Sequence, residues 1–287
     1  MTAMNIEGGT ASGTSAPQSI YRHRLPVRLM HWINVGCLVI LLGSGLNIFN
    51  AHPTLYWGHD SVTGTPWLSI GAENTAAGPV GTTRLAGARF ETTGVLGLSD
   101  VNGTPTQRGF PSWATIPGPQ WLSMARHWHL FFAWLFVING VAYVLYTVFS
   151  RHLVRDLVPT RAELRNIGRS ILDHVKFKHP TGEAAKRYNV LQSLTYLIVI
   201  FVLLPLIVIT GMAMSPRLDT VITGWVDLLG GRQSARSLHF VAATGLVVFT
   251  LVHVFEVVVA GVWNEMRSMI TGWYRVPADR PAAKERP

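Results

Sequence analysis

The chain has 287 residues, of which 48% are hydrophobic and only 14% charged, and its mean hydropathy is +0.28. That balance suits a polytopic membrane protein better than a soluble one, with lipid as the main solvent. The formal net charge of +9 falls mostly on segments flanking apolar stretches, where it orients a membrane protein, so no nucleic-acid partner is assigned to it.

Residues 1–20 (MTAMNIEGGTASGTSAPQSI) are rich in Gly, Ser and Thr and lack a basic region followed by an apolar core. They read as a disordered leader with no cleavable signal peptide. Four stretches are then long and apolar enough to span a bilayer: Leu29 to Phe49, Leu130 to Phe149, Leu191 to Met214 and Leu238 to Trp263. The first contains the single cysteine, Cys37, which excludes an intrachain disulfide and reads as a packing residue. The third contains Pro205, where a kink is expected. The fold class is therefore all-α, an integral membrane four-helix bundle. Residues 21–273 form the membrane domain, with an insertion at 51–125 and a basic loop at 151–190, and 274–287 form a tail.

Orientation follows from the basic residues. Arg22, Arg24 and Arg28 precede the first span, residues 151–190 hold nine Lys/Arg against four acids, and the segment after Trp263 holds five against three. Residues 51–125 hold three Arg against four acids, and residues 215–237 three against two. The first three segments should be cytoplasmic and the other two periplasmic, which agrees with an even number of spans and both termini cytoplasmic.

Histidines then acquire depths. His239 and His253 are fourteen residues apart on the fourth span, about four helical turns and roughly 21 Å, so they share one stripe near opposite edges of the bilayer core. His31 opens the first span at the cytoplasmic side, and His129 opens the second at the outer side. Matching levels pairs His31 with His253 and His129 with His239, each pair offering two axial imidazoles, as two b-type haems near opposite faces require. No CxxCH occurs, which excludes covalent attachment of the c type. Arg28, Arg126 and Arg236 each precede a histidine by three residues, where propionates would lie; arginines also flank helix ends and snorkel without any cofactor. Gly45, fourteen residues after His31, together with Gly140 and Gly245, would let a porphyrin lie against backbone, or would serve close helix packing. His127 points nearly opposite to His129 on a helix, so only one of them faces the core, and His129 is preferred. His23, His52, His59, His152, His174 and His179 read as surface residues.

The residues RLMHWINVGCLVILLGSGL, RHWHLFFAW and the H-x13-H pattern of the fourth span resemble the four-helix dihaem cytochrome b subunits of bacterial respiratory complexes. These are the bacterial cytochrome b561 and nickel-hydrogenase b-type group, which includes the cytochrome subunits of formate dehydrogenase and thiosulfate reductase. The resemblance implies an inner-membrane anchor that moves electrons between the quinone pool and a partner enzyme, with His31, His129, His239 and His253 as ligands of two haem b groups. Against that group the 75-residue connection at 51–125 is long; such a segment covers the outer haem or docks a periplasmic partner, of the molybdopterin oxidoreductase or hydrogenase type, unless it is a passive surface excursion.

Quinone chemistry needs a proton-exchanging group near a haem. Glu256, three residues past His253, is the one carboxylate within a span and the first candidate, unless it pairs with an arginine such as Arg24 or Arg28; Trp32 and Asn34 are weaker ones. No phosphate loop, nucleophile motif or CxxC metal site appears. Two other readings stay open: a self-sufficient quinol-dependent membrane oxidoreductase, and a haem-free transporter with a histidine-lined path.

Overall fold

In the computed structural model, residues 19–62, 64–150, 158–175, 189–222 and 224–276 are described. Four helices long and apolar enough to cross a membrane carry the architecture. The first, α1 (Leu25–Phe49), starts with Pro26 in its first turn, where a missing N–H costs nothing. The second, α2 (Leu122–Phe149), begins eight residues before the apolar core expected from the sequence. Two short helices follow, α3 (Arg161–Arg165), closed by a Thr160/Glu163 capping box, and α4 (Ile167–Val175). Residues 151–157 and 176–188 of the expected basic loop lie outside the described residues.

The third span joins α5 (Val190–Ile198) to α6 (Leu204–Ala213) through a π-helical stretch, Val199–Leu203. The distortion expected at Pro205 takes this form: the wider turn just before the ring absorbs the backbone bond that proline cannot make. After α7 (Pro216–Val221), α8 (Arg232–Thr271) runs for 40 residues. It is not one straight rod. Gly261, at φ 109 and ψ 85, breaks it, and only glycine takes that conformation without strain. The expected span, ending at Trp263, therefore stops at a bend, and the last ten residues of α8 fold over one end of the bundle. There Arg22 pairs with Glu265 at 3.5 Å.

Helix α1 packs along α2 and α6 along α8, and the two pairs meet where α1 touches α8. Little of the apolar surface is covered within the chain; 6% of the most apolar window of α8 is buried, as expected where lipid does the covering. Exposed Trp113, Trp121 and Trp128 mark one end and Trp32, Trp263 and Trp273 the other, the placement of interfacial anchors.

The expectation of an all-α fold is corrected in two places. Strand β1 (Ser19–Tyr21) pairs antiparallel with β8 (Trp273–Arg275), tying the two outermost described segments together at one end. The 51–125 segment is largely β-structure. Strands β2 (Thr54–Leu55), β3 (Leu68–Thr75), β4 (Gly78–Leu85) and β5 (Ala88–Glu91) form a four-stranded antiparallel sheet, and β6 (Gly97–Val101) and β7 (Thr104–Arg108) form a hairpin. Turns at Ala86-Gly87 and Asn102-Gly103 have both residues at positive φ, the geometry that matches strand twist and closes tight hairpins. The leader expected at 1–20 falls outside the described residues except for Ser19 and Ile20, which open β1, and the expected tail supplies Tyr274 and Arg275 to β8 before passing outside them.

This insertion is fastened to the bundle rather than draped on it. The Gly58 carbonyl accepts from the Gln233 and Ser234 amides at the start of α8, satisfying donors that a helix N-terminus leaves open. Trp67 Nε1 donates to Ser237 Oγ at 2.9 Å, and Asn47 Nδ2 donates to the Pro117 and Pro119 carbonyls at 2.6 and 3.0 Å.

Candidate functional site

The helix pairs bring four imidazoles together as two couples. His31 of α1 and His253 of α8 have ring centroids 6.3 Å apart with planes at 67°, and His129 of α2 and His239 of α8 have centroids 6.3 Å apart at 62°. Each couple bridges the two helix pairs. Two imidazoles ligating one iron from opposite sides stand about 6 Å apart centre to centre when each metal–nitrogen bond is about 2 Å. Among the described residues no group of three or more His, Cys, Asp or Glu side chains could hold a bare metal ion. Couples of imidazoles with no further protein ligand fit an iron whose other positions a macrocycle fills.

His127 turns away from the interior and is exposed, with its Nδ1 2.8 Å from the Ser123 carbonyl of its own helix. At the insertion end the rings have polar seats. His129 Nδ1 lies 3.0 Å from Ser44 Oγ, and His239 Nδ1 lies 3.2 Å from Thr210 Oγ and 3.0 Å from the Ile207 carbonyl. Sequence reasoning missed Ser44 and Thr210. Gly45 faces the His129 ring: a Cβ there would sit 3.3 Å from His129 Cε1, so this glycine makes room for an imidazole. Gly211, also missed, does the same for His239 at 3.2 Å. Gly245 instead packs against Leu203, and nothing lies within 4 Å of a Cβ built at Gly140.

The arginines divide. Arg28 donates from Nη2 to the Ile270 carbonyl, and its Nε is buried with no hydrogen-bond partner among the described residues. Arg267 Nη1, on the last turns of α8, is buried and unpartnered in the same sense. Two orphaned guanidinium donors at the His31 end fit an anionic group such as a propionate. Arg236 donates to the His52 carbonyl and lies over the Phe49 ring at 5.7 Å, while Arg126 is exposed.

Beside His253, Tyr196 of α5 lies 6.5 Å away ring to ring, within electrostatic reach of Glu256, Glu265, Arg22 and Tyr143. Tyr196 went unnoticed in the sequence because a lone tyrosine in an apolar span carries no spacing signal. Trp32 Nε1 donates to the Met269 carbonyl, and Asn34 Oδ1 accepts from Asn139 Nδ2, so both serve helix packing. Over the other couple, Ile116 of the insertion meets Gly43, where a Cβ would come within 2.6 Å of its side chain, and the Ile116 amide donates to the Gly43 carbonyl at 3.0 Å. The insertion thus reaches the helix turn that carries Ser44.

The chain is similar to the putative protein-methionine-sulfoxide reductase subunit YedZ1 of Azospira oryzae, at 34% identity over 162 residues, covering 56% of this chain and 77% of the relative. No solved structure matches it. The family model described as prokaryotic cytochrome b561 matches residues 22–272, a range that takes in all four histidines and every span, and this chain belongs to that family of multi-pass, haem b-binding membrane proteins.

Proposed function

We propose that the protein is a dihaem cytochrome b subunit of the bacterial inner membrane that carries electrons between the quinone pool and a periplasmic oxidoreductase. The observation that carries this reading is the pair of imidazole couples, each with centroids 6.3 Å apart. His31 and His253 would hold one haem and His129 and His239 the other. Haem b, when bound, supplies one-electron chemistry; the chain supplies the ligands, the spacing and the exclusion of water. Arg28 would neutralise a propionate at the first site. At the second site Arg236 donates to the His52 carbonyl and Arg126 is exposed, so a propionate role for these two has less support.

The distribution of Lys and Arg supports placing both chain ends and the 151–190 segment in the cytoplasm and the insertion in the periplasm. Quinone would then exchange protons near His253, with Glu256 and Tyr196 as the side chains in reach. The relative's description as a reductase subunit supports a separate partner enzyme; in this reading it is of the molybdopterin or hydrogenase type and docks on the insertion. The test is a reduced-minus-oxidised spectrum with pyridine-haem quantification on the parent, His31→Ala and His239→Ala. About two haems per parent chain, with each substitution removing a different one, is expected. A haem-free parent refutes the reading in favour of a histidine-lined transport path; activity of the purified chain alone with quinol and a small oxidant would refute the need for a partner.

A further inference from the structure

The two imidazoles at the insertion end are held by the same local device on two different helices. On α1 it is Ser44 followed by Gly45; on α6 it is Thr210 followed by Gly211. In each, the hydroxyl proton is committed to its own helix: Ser44 Oγ donates to the Ile40 carbonyl and Thr210 Oγ to the Leu206 carbonyl, both at 2.6 Å. The oxygen then serves the imidazole only as an acceptor, so Nδ1 of His129 and of His239 must carry the proton. The Ile207 carbonyl, three residues before Thr210, also accepts from the His239 ring. The glycine that follows leaves the ring its space. Fixing Nδ1–H leaves the Nε2 lone pair of both rings as ligand. Among the described residues the rings of His31 and His253 have no hydrogen bond; their neighbours are Trp32, Tyr196 and Phe249.

We propose that Ser44 and Thr210 are positioning residues that hold His129 and His239 by Nδ1, present Nε2 to one iron, and set that haem's reduction potential below the value it would have without them. The inference rests on the dihaem reading above. An acceptor on the far nitrogen makes an imidazole more basic, and a more basic axial pair favours the oxidised iron. Among the described residues the His31/His253 couple lacks this support, so protein hydrogen bonding is one respect in which the two sites differ.

The test is an optical redox titration, with low-temperature electron paramagnetic resonance, of the full-length detergent-purified chain. The variants are Ser44→Ala, Thr210→Val, their combination and Thr210→Ser. One midpoint should rise in each hydroxyl-free variant and rise furthest in the combination, while the other midpoint stays and Thr210→Ser keeps the parental value. Because Ser44 and Thr210 sit on different helices, a folding defect in one variant leaves the other to report. Loss of a single haem, the same one in both, also supports the seat. Two haems with unmoved midpoints overturn the inference and leave the haem reading intact, as does a parallel shift of both midpoints. A parent without two haems overturns the haem reading and this inference with it.

Discussion

Asn47 is the polar rivet between the first span and the insertion, and removing it should loosen the segment that reaches toward His129. Its side chain is fully buried, with Nδ2 bonded to the Pro117 and Pro119 carbonyls and Oδ1 without a partner among the described residues. In Asn47→Ala the half-buried Pro117 carbonyl loses its donor, at about 1–3 kcal/mol for a buried acceptor left unmade. The Pro119 carbonyl belongs to an exposed residue and regains water; loss of the unpaired Oδ1 is a gain that the cavity left by this fully buried side chain offsets, so the net cost is about 2 kcal/mol. At about 1.4 kcal/mol per tenfold, that raises the population of the locally opened segment roughly 30-fold. The Ile116 amide, bonded to the Gly43 carbonyl, is the reporter: its hydrogen exchange should accelerate by about that factor. The Ile70 amide, bonded to Pro53 within the insertion, should keep its rate. Asn47→Asp turns both donors into an acceptor facing two carbonyls and should accelerate Ile116 further. An Ile116 rate within threefold of the parent in Asn47→Ala would refute the reasoning and shift the fastening to the Gly58 and Trp67 contacts.

Gly97→Ala should disrupt the insertion alone. Gly97 has φ 81, and a Cβ there would run into the Gly71 carbonyl and come within 2.9 Å of the Thr82 nitrogen. The backbone term is about 1–2 kcal/mol before any strand is displaced, so faster tryptic cleavage at Arg84 and Arg89 is expected, and unchanged protease resistance would count against it. Acid should loosen the same sheet. The Arg84 hydrogen bond, helped by Arg89, holds the Glu73 carboxyl below the usual carboxylate range. A depressed folded-state value means this contribution is complete above the unfolded carboxylate pKa of about 4.3 and is lost as pH falls through the folded one. Exchange in β4, corrected for its intrinsic pH dependence, should therefore accelerate below about pH 4, and Glu73→Gln should abolish that pH dependence.

Legibility followed range along the chain. The spans could be read because a bilayer demands about twenty consecutive apolar residues whatever the neighbours do. Matching the histidines by depth needed only helical rise and a count of basic residues, both local quantities. The hairpins were legible in principle: Asn102-Gly103 is a strong tight-turn signal, yet a count of Gly, Pro and Thr passes over it. Length alone marked 51–125 as unusual, and the alternation in β3 was too irregular to announce a sheet.

What the sequence by itself determined is the set of spans and which histidines share a level, because these depend on composition and on the period of a single helix. Only the tertiary structure decided how the rings are held. Ser44 meets His129 across 85 positions of chain and Thr210 meets His239 across 29, and both contacts depend on the axial register and rotation of one helix against another. A run of Leu, Ile and Val fixes that register through side-chain interdigitation and small-residue contacts distributed along the whole interface, and no local pattern in either helix states it. The bend at Gly261 and the descent of Ile116 onto Gly43 have the same origin: each is settled by what the segment meets in space.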